Sequence, residues 1–102
     1  MARDPLAFIP KAVKNNTIDR RVSMRGLAVM CMVEQAPRQS VRDLAAALEL
    51  NKPSVTRAAQ ALREMGLVEV SREGVSDERL VAISLTQAGH EALQALRYAA
   101  AA

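Results

Sequence analysis

The stretch Asn51-Lys-Pro-Ser-Val-Thr-Arg-Ala-Ala-Gln-Ala-Leu-Arg-Glu-Met-Gly66 reads as one helix with a marked beginning and end. Asn51 is a capping residue whose side-chain oxygen can take an orphan amide of the first turn. Pro53 falls in that turn, where its missing N–H costs nothing. Gly66 supplies the left-handed position that ends many helices. A residue before proline resists helical geometry, so the start falls at Asn51 or Lys52. Val55, Ala58, Ala59, Leu62 and Met65 are spaced i, i+3, i+4, i+7 and i+10, which makes one buried stripe.

The other face of this helix carries Lys52, Ser54, Thr56, Arg57, Gln60 and Arg63, with Glu64 its one acid. Small hydroxyls, an amide and long cations on an alanine-backed helix suit entry into a DNA major groove. An ordinary solvated amphipathic helix would carry the same residues, so the flanking segments have to decide.

Upstream, Ser40-Val-Arg-Asp43 is a capping-box-like start with Asp in place of Glu or Gln. Val41, Leu44, Ala45 and Leu48 give a second amphipathic stripe ending near Leu50. So short a joint before Asn51 forces the two helices to cross steeply, which is the helix-turn-helix arrangement. Ala36-Pro-Arg-Gln39 before it reads as a turn. Earlier still, Ser23 is a plausible N-cap for a helix to about Gln35. Leu27-Ala-Val-Met-Cys-Met-Val33 is apolar all round, so that helix belongs at the centre.

After Gly66 the period changes. Leu67–Arg72 and Leu80–Leu85 are β-rich, and Val81, Ile83 and Leu85 alternate with Leu80, Ala82 and Ser84. Glu73-Gly-Val-Ser-Asp-Glu78 between them is polar and contains a turn glycine, so the pair is a hairpin with an exposed tip. Thr86 then caps a last helix, Gln87 to about Ala99, with Ala88, Ala92, Leu96 and Ala99 on one face. At the other end Asp4-Pro5 signals a helix start that Pro10 should break or kink. Residues 5–16 are therefore one short helix or two pieces, with Leu6, Phe8, Ile9 and Val13 available to dock on the body or on a second copy. A basic flexible arm is the alternative, and Asn15-Asn16-Thr17 reads as a break.

The 102 residues are enough for one core, so a single domain is expected: an N-terminal segment 1–21, a body 22–85 and a C-terminal helix 86–102. Aromatics are 2% of the chain, leaving the core to Ala, Val, Leu, Ile and Met. The net charge of +3 is a mild pointer to a polyanionic partner. Residues 38–79, however, balance Arg38, Arg42, Lys52, Arg57, Arg63, Arg72 and Arg79 against as many acids. A nucleic-acid surface there has to come from sorting charges to opposite faces.

The single cysteine, Cys31, excludes an internal disulfide and fits a reducing cytosol. It is read as a small buried hydrophobe, with a redox-sensing thiol as the sharper alternative. No apolar run has the length of a membrane span, and the N-terminus has no uninterrupted apolar stretch of the kind a secretory signal needs, so a soluble cytoplasmic protein is expected. His90 beside Glu91 has no second His or Cys near it in sequence, and reads as solvent-facing. No phosphate loop, nucleophile elbow or metal spacing appears, which speaks against an enzyme and calls for no cofactor.

Helix, short helix, tight turn, capped helix, hairpin, helix is the order of a winged helix-turn-helix, mainly α with a small β-hairpin. Over residues 22–95 the sequence resembles the MarR family of bacterial transcriptional regulators, as a short member. The resemblance rests on Val41-Arg-Asp-Leu-Ala-Ala-Ala-Leu-Glu-Leu50, Asn51-Lys-Pro-Ser-Val-Thr-Arg57 and Leu62-Arg-Glu-Met-Gly-Leu-Val68. It continues in Asp77-Glu-Arg79 and Ser84-Leu-Thr-Gln-Ala-Gly89. It implies that Pro53, Ser54, Thr56, Arg57 and Gln60, with Lys52 beside them, face the major groove. It also implies that Arg79, oriented by Asp77, reaches the minor groove from a wing over residues 72–79 that includes Arg72. A surface ion pair is the plainer reading of Arg79. Arg38, Ser40 and Arg42 would hold phosphates and set register.

A two-fold dimer on double-stranded DNA follows from the resemblance, because one short reading helix gives little specificity and two half-sites double it. Its contact surface is expected from residues 5–16 and 87–99. Two other functions fit the same residues: a winged helix used for protein docking, and a small-molecule or thiol sensor.

Overall fold

Local signals set most of the helix ends, and long-range contacts then turn the helices to face one another. A computed structural model of the chain describes residues 4–71 and 82–101. Among them run α1 (Phe8–Lys14), α2 (Met24–Gln35), β1 (Gln39–Ser40), α3 (Val41–Leu48), α4 (Lys52–Glu64), β2 (Val68–Ser71), β3 (Ala82–Leu85) and α5 (Gln87–Ala101). None of these helices is long and apolar enough to cross a membrane.

Four starts are capped as the sequence predicts, that of α5 by Thr86, whose Oγ1 accepts from the Gly89 amide. Ser23 Oγ accepts from the Gly26 amide, Ser40 Oγ from Asp43, and Asn51 Oδ1 from Ser54 at 2.8 Å. Three ends share one motif. Thr17, Leu50 and Leu67 amides reach back to the carbonyls of Ala12, Ala45 and Leu62. The residue before each is left-handed, with φ of 52° at Asn16, 54° at Glu49 and 76° at Gly66. This double-bonded stop satisfies carbonyls that the helix cannot.

Pro10 does not break α1, contrary to the sequence expectation. It occupies the third helical position, where the amide it lacks would have had no partner inside the helix. Of the two forms expected for residues 5–16, the single short helix is the one found, over Phe8–Lys14, and it is closed at its far end by Arg20, whose guanidinium donates to the carbonyls of Val13 and Lys14.

The core is the predicted aliphatic one. Val29, Met30 and Val33 of α2, Leu44 of α3, Val55 and Leu62 of α4, and Ile83 of β3 are all within 1% of complete burial. Cys31 is half-buried at the edge of this cluster rather than inside it.

The sheet has one more strand than a hairpin. Its order is β1-β3-β2, all antiparallel, with Val70 facing Ile83 on one side and Gln39 facing Ile83 on the other. The turn read at residues 36–39 therefore stops one residue earlier, and Gln39 opens the strand. Gln39 is further held by its side-chain amide, which donates to the Met32 carbonyl at 2.7 Å. The expected alternation in β3 is also incomplete. Ala82 is buried along with Ile83, because its small methyl lies between strand neighbours Ser40 and Ser71.

In α5 the buried line is turned from the one predicted. Gly89 and Leu93 are buried, Ala92 and Leu96 half-buried, and Ala88 is exposed. A tertiary contact at Gly89 sets this rotation: a Cβ there would overlap the Leu67 carbonyl oxygen.

Candidate nucleic-acid interface

The tight joint Glu49–Asn51 places α3 and α4 against each other, with α2 behind α4. Val55, Ala59 and Leu62 of α4 are buried, and Ala58 and Met65 half-buried, so the predicted stripe faces inward. Lys52, Pro53, Arg57, Gln60 and Arg63 are exposed on the other side. Ser54 and Thr56 are half-buried at the edge of that face. They are neither free like Arg57 nor covered.

The predicted phosphate-holding group divides by role. Arg42 is exposed on α3. Ser40 is half-buried and its oxygen is engaged as the α3 cap, which leaves its hydroxyl proton free to donate outward. Arg38 is exposed in the turn before β1, with a backbone φ of 65°. The expected wing residues Arg72, Asp77 and Arg79, and the hairpin tip between them, lie outside the described residues.

Charge is only partly sorted on the described surface, since the acids Asp43 and Glu64 lie exposed on α3 and α4 themselves. Arg21 pairs with Asp19 at 2.7 Å, Arg97 pairs with Glu34, and Arg20 caps α1. Arg42, Lys52, Arg57 and Arg63 have no carboxylate partner among the described residues, and neither have Lys11 and Lys14 on α1 or Arg25 on α2. Ion-paired cations are already partly neutralised, whereas unpaired ones on one helix face carry their full charge toward an incoming anion.

A second feature lies on the other side of α2. A groove of about 400 Å³ opens between α1, α2 and α5, walled by Phe8, Ala12, Ile18, Leu27, Leu93 and Leu96, with Cys31 among its lining residues. Sequence reading missed it, because its walls come from segments that no local pattern brings together.

The comparisons agree with this architecture. The family model for the IclR helix-turn-helix domain matches residues 24–72. A crystal structure of a MarR family transcription regulator superimposes with a TM-score of 0.70 at 26% identity, covering 91% of this chain and 61% of that one. The transcriptional regulator Tm0710 from Thermotoga maritima gives a TM-score of 0.77 at 14% identity, over 95% of this chain and 65% of that one. FabT of Streptococcus pneumoniae, solved in complex with DNA, gives 0.72 at 20% identity, over 93% and 67%. The chain thus spans roughly three-fifths to two-thirds of the length of these regulators. A search of curated proteins finds no significant match. The fold is a winged helix-turn-helix, the fold of the transcription regulators on which it superimposes.

Proposed function

We propose that the chain is a DNA-binding transcription regulator that works as a homodimer in the cytoplasm. It reads a two-fold-symmetric site with α4 in the major groove and residues 72–79 in the minor groove. The observation that carries this reading is the exposed α4 face, with Lys52, Arg57 and Arg63 unpaired among the described residues and Arg42 behind them on α3. Arg57 offers a two-bond fork to a guanine edge and Gln60 an amide to adenine. Arg38, Ser40 and Arg42 hold phosphate and fix register, while Lys52, Pro53, Ser54 and Thr56 line the approach. Arg79, Asp77 and Arg72 serve the wing contact by the family resemblance. That FabT was solved with DNA supports the choice of partner.

Homodimerisation through residues 5–16 and 87–99 is supported by the apolar side chains left exposed there. Leu6 is 62% exposed, Val13 53% and Tyr98 81%. A monomer gains nothing from them in water.

The test is a pair of variants in a salt titration on a selected site. Arg57→Ala loses roughly 1–3 kcal/mol on that site and relaxes its base preference. Arg42→Ala weakens all sequences alike and flattens the salt slope by about one unit. If both bind like the parent, the face is wrong. If a gel shift at low salt shows no binding of any fragment, protein docking is the better reading.

The groove beside Cys31 favours a second, compatible reading, in which a small molecule or an oxidant modulates the protein. A Cys31→Ser variant whose DNA binding responds to oxidant as the parent does would exclude the thiol version.

A further inference from the structure

The end of α4 and the start of α5 are joined through one side chain. Thr86 caps α5, with Oγ1 accepting from the Gly89 amide at 3.0 Å. The same hydroxyl donates its proton to the Gly66 carbonyl at 2.6 Å. The Thr86 amide donates to the next carbonyl, Leu67, at 3.1 Å. Both carbonyls of the turn that stops α4 are therefore held by the residue that starts α5.

Packing tightens the same junction. No side chain separates Gly89 from Leu67: a Cβ on Gly89 would overlap the Leu67 oxygen and come within 2.9 Å of a Leu85 methyl. Backbone lies directly on backbone, so no rotamer can change to absorb a rotation of α5 against α4. The register of β2 on β3, with Val68 facing Leu85, continues the contact into the sheet. Farther along α5, Leu93 and Leu96 wall the groove and Tyr98 is exposed. The two ends of this coupling are thus the reading face and the proposed contact between copies.

We propose that Thr86 and Gly89 are positioning residues that lock α4 and α5 into one rigid unit. In a dimer assembled on α5, that unit sets the separation of the two α4 helices and hence the spacing of the half-sites. The spacing consequence rests on the DNA-reading dimer proposed above, whereas the locking does not.

The chemistry of position 86 separates this role from simple helix capping. Aspartate caps helices well but has no proton for the Gly66 carbonyl at neutral pH. Serine can make both bonds. Thr86→Asp therefore keeps the cap and loses the clamp, while Thr86→Ser keeps both.

The experiment places nitroxide labels at Arg63→Cys and Gln94→Cys, both exposed, in a Cys31→Ser background diluted with unlabelled chain. Pulsed dipolar spectroscopy should give one narrow α4–α5 distance for the Thr86 chain and for Thr86→Ser. In Thr86→Asp, at unchanged helix content, the distribution should broaden. An equally narrow distribution overturns the clamp. The second arm measures binding to inverted repeats whose spacer grows one base pair at a time, and to a single half-site. The unlabelled parent should show a sharp optimum that Thr86→Asp flattens severalfold, with half-site affinity kept. A broadened label distance with an unchanged optimum overturns the spacing claim. Failure of the parent to bind any duplex overturns the DNA reading with it, and the label distances still decide whether the helices are locked.

Discussion

Arg97 of α5 closes a two-bond fork on Glu34 of α2, with Nη1 donating to Oε2 at 2.8 Å and Nη2 to the other oxygen. The hydrogen bonds from Arg97 hold the Glu34 carboxyl below its usual range. Asp19 is lowered further, to about 2, by the side chain of Arg21 and then by that residue's own amide. Both carboxylates are easier to keep ionised in the folded chain than in the unfolded one. Their stabilisation is therefore complete above the unfolded-state values and is lost as pH falls through the folded ones. For Asp19 that window lies between about pH 4 and pH 2. Thermal unfolding followed across it should show Asp19→Asn with a flatter acid limb than the parent. Equal loss of Tm in parent and variant would mean that the Arg21 pair does not persist in solution. Added salt should shrink the difference at neutral pH, because both pairs are at the surface.

Asn51 contributes through one bond, its oxygen accepting from the Ser54 amide. Asn51→Ala should cost about 1 kcal/mol of stability, and Asn51→Ser or Asn51→Asp only a fraction of that. Urea unfolding separates them. An Asn51→Ala midpoint equal to the parent's would show that water serves the first turn of α4 just as well.

What could be read from the sequence and what could not divide by the range of the interaction. Ser23, Asn51 and Thr86 were legible as caps because a cap needs only its own next three residues. The α4 stripe was legible because helical periodicity is local. β1 was invisible: two polar residues after Pro37 carry no pattern, and they become a strand only because Ile83 and Ala82 lie alongside. The face of α5 was misjudged by one position, since Gly89 is turned inward by a carbonyl far away in the chain. The Glu34 and Arg97 pair and the groove were likewise beyond reach. At the candidate interface the exposure of Lys52, Arg57 and Gln60 could be read directly. The half-burial of Ser54 and Thr56 is set by how α4 packs in the folded chain, which composition does not encode.

Ile9 and Leu62 give opposite expectations from similar side chains. Leu62 is 1% exposed, between α2 and the turn at Gly66, so Leu62→Ala should cost about 2–5 kcal/mol. Ile9 is 43% exposed on α1. Ile9→Glu should lower the unfolding midpoint of the isolated chain far less than Leu62→Ala does, while dissociating the proposed dimer. Sedimentation at several concentrations checks it. A dimer undisturbed by Ile9→Glu would take α1 out of the interface.

Glu49 and Gly66 occupy equivalent places, each ending a helix in the left-handed region, yet only one is the residue type that region favours. A side chain there costs roughly 1–2 kcal/mol, against about 0.5–1 kcal/mol for the extra freedom a glycine loses on folding. Glu49→Gly should therefore stabilise the chain by about 0.5–1 kcal/mol, and Gly66→Ala should destabilise it by a similar amount. The comparison is clean at Gly66, where an added Cβ meets nothing within 4 Å, so the effect is one of backbone conformation and not of packing. Glu49 is exposed, and no hydrogen bond or ion pair holds its side chain among the described residues. Chemical unfolding of the two variants beside the parent measures both signs at once. If Glu49→Gly proved less stable than the parent, the Glu49 side chain would have to be making a contact that offsets the strain of its backbone.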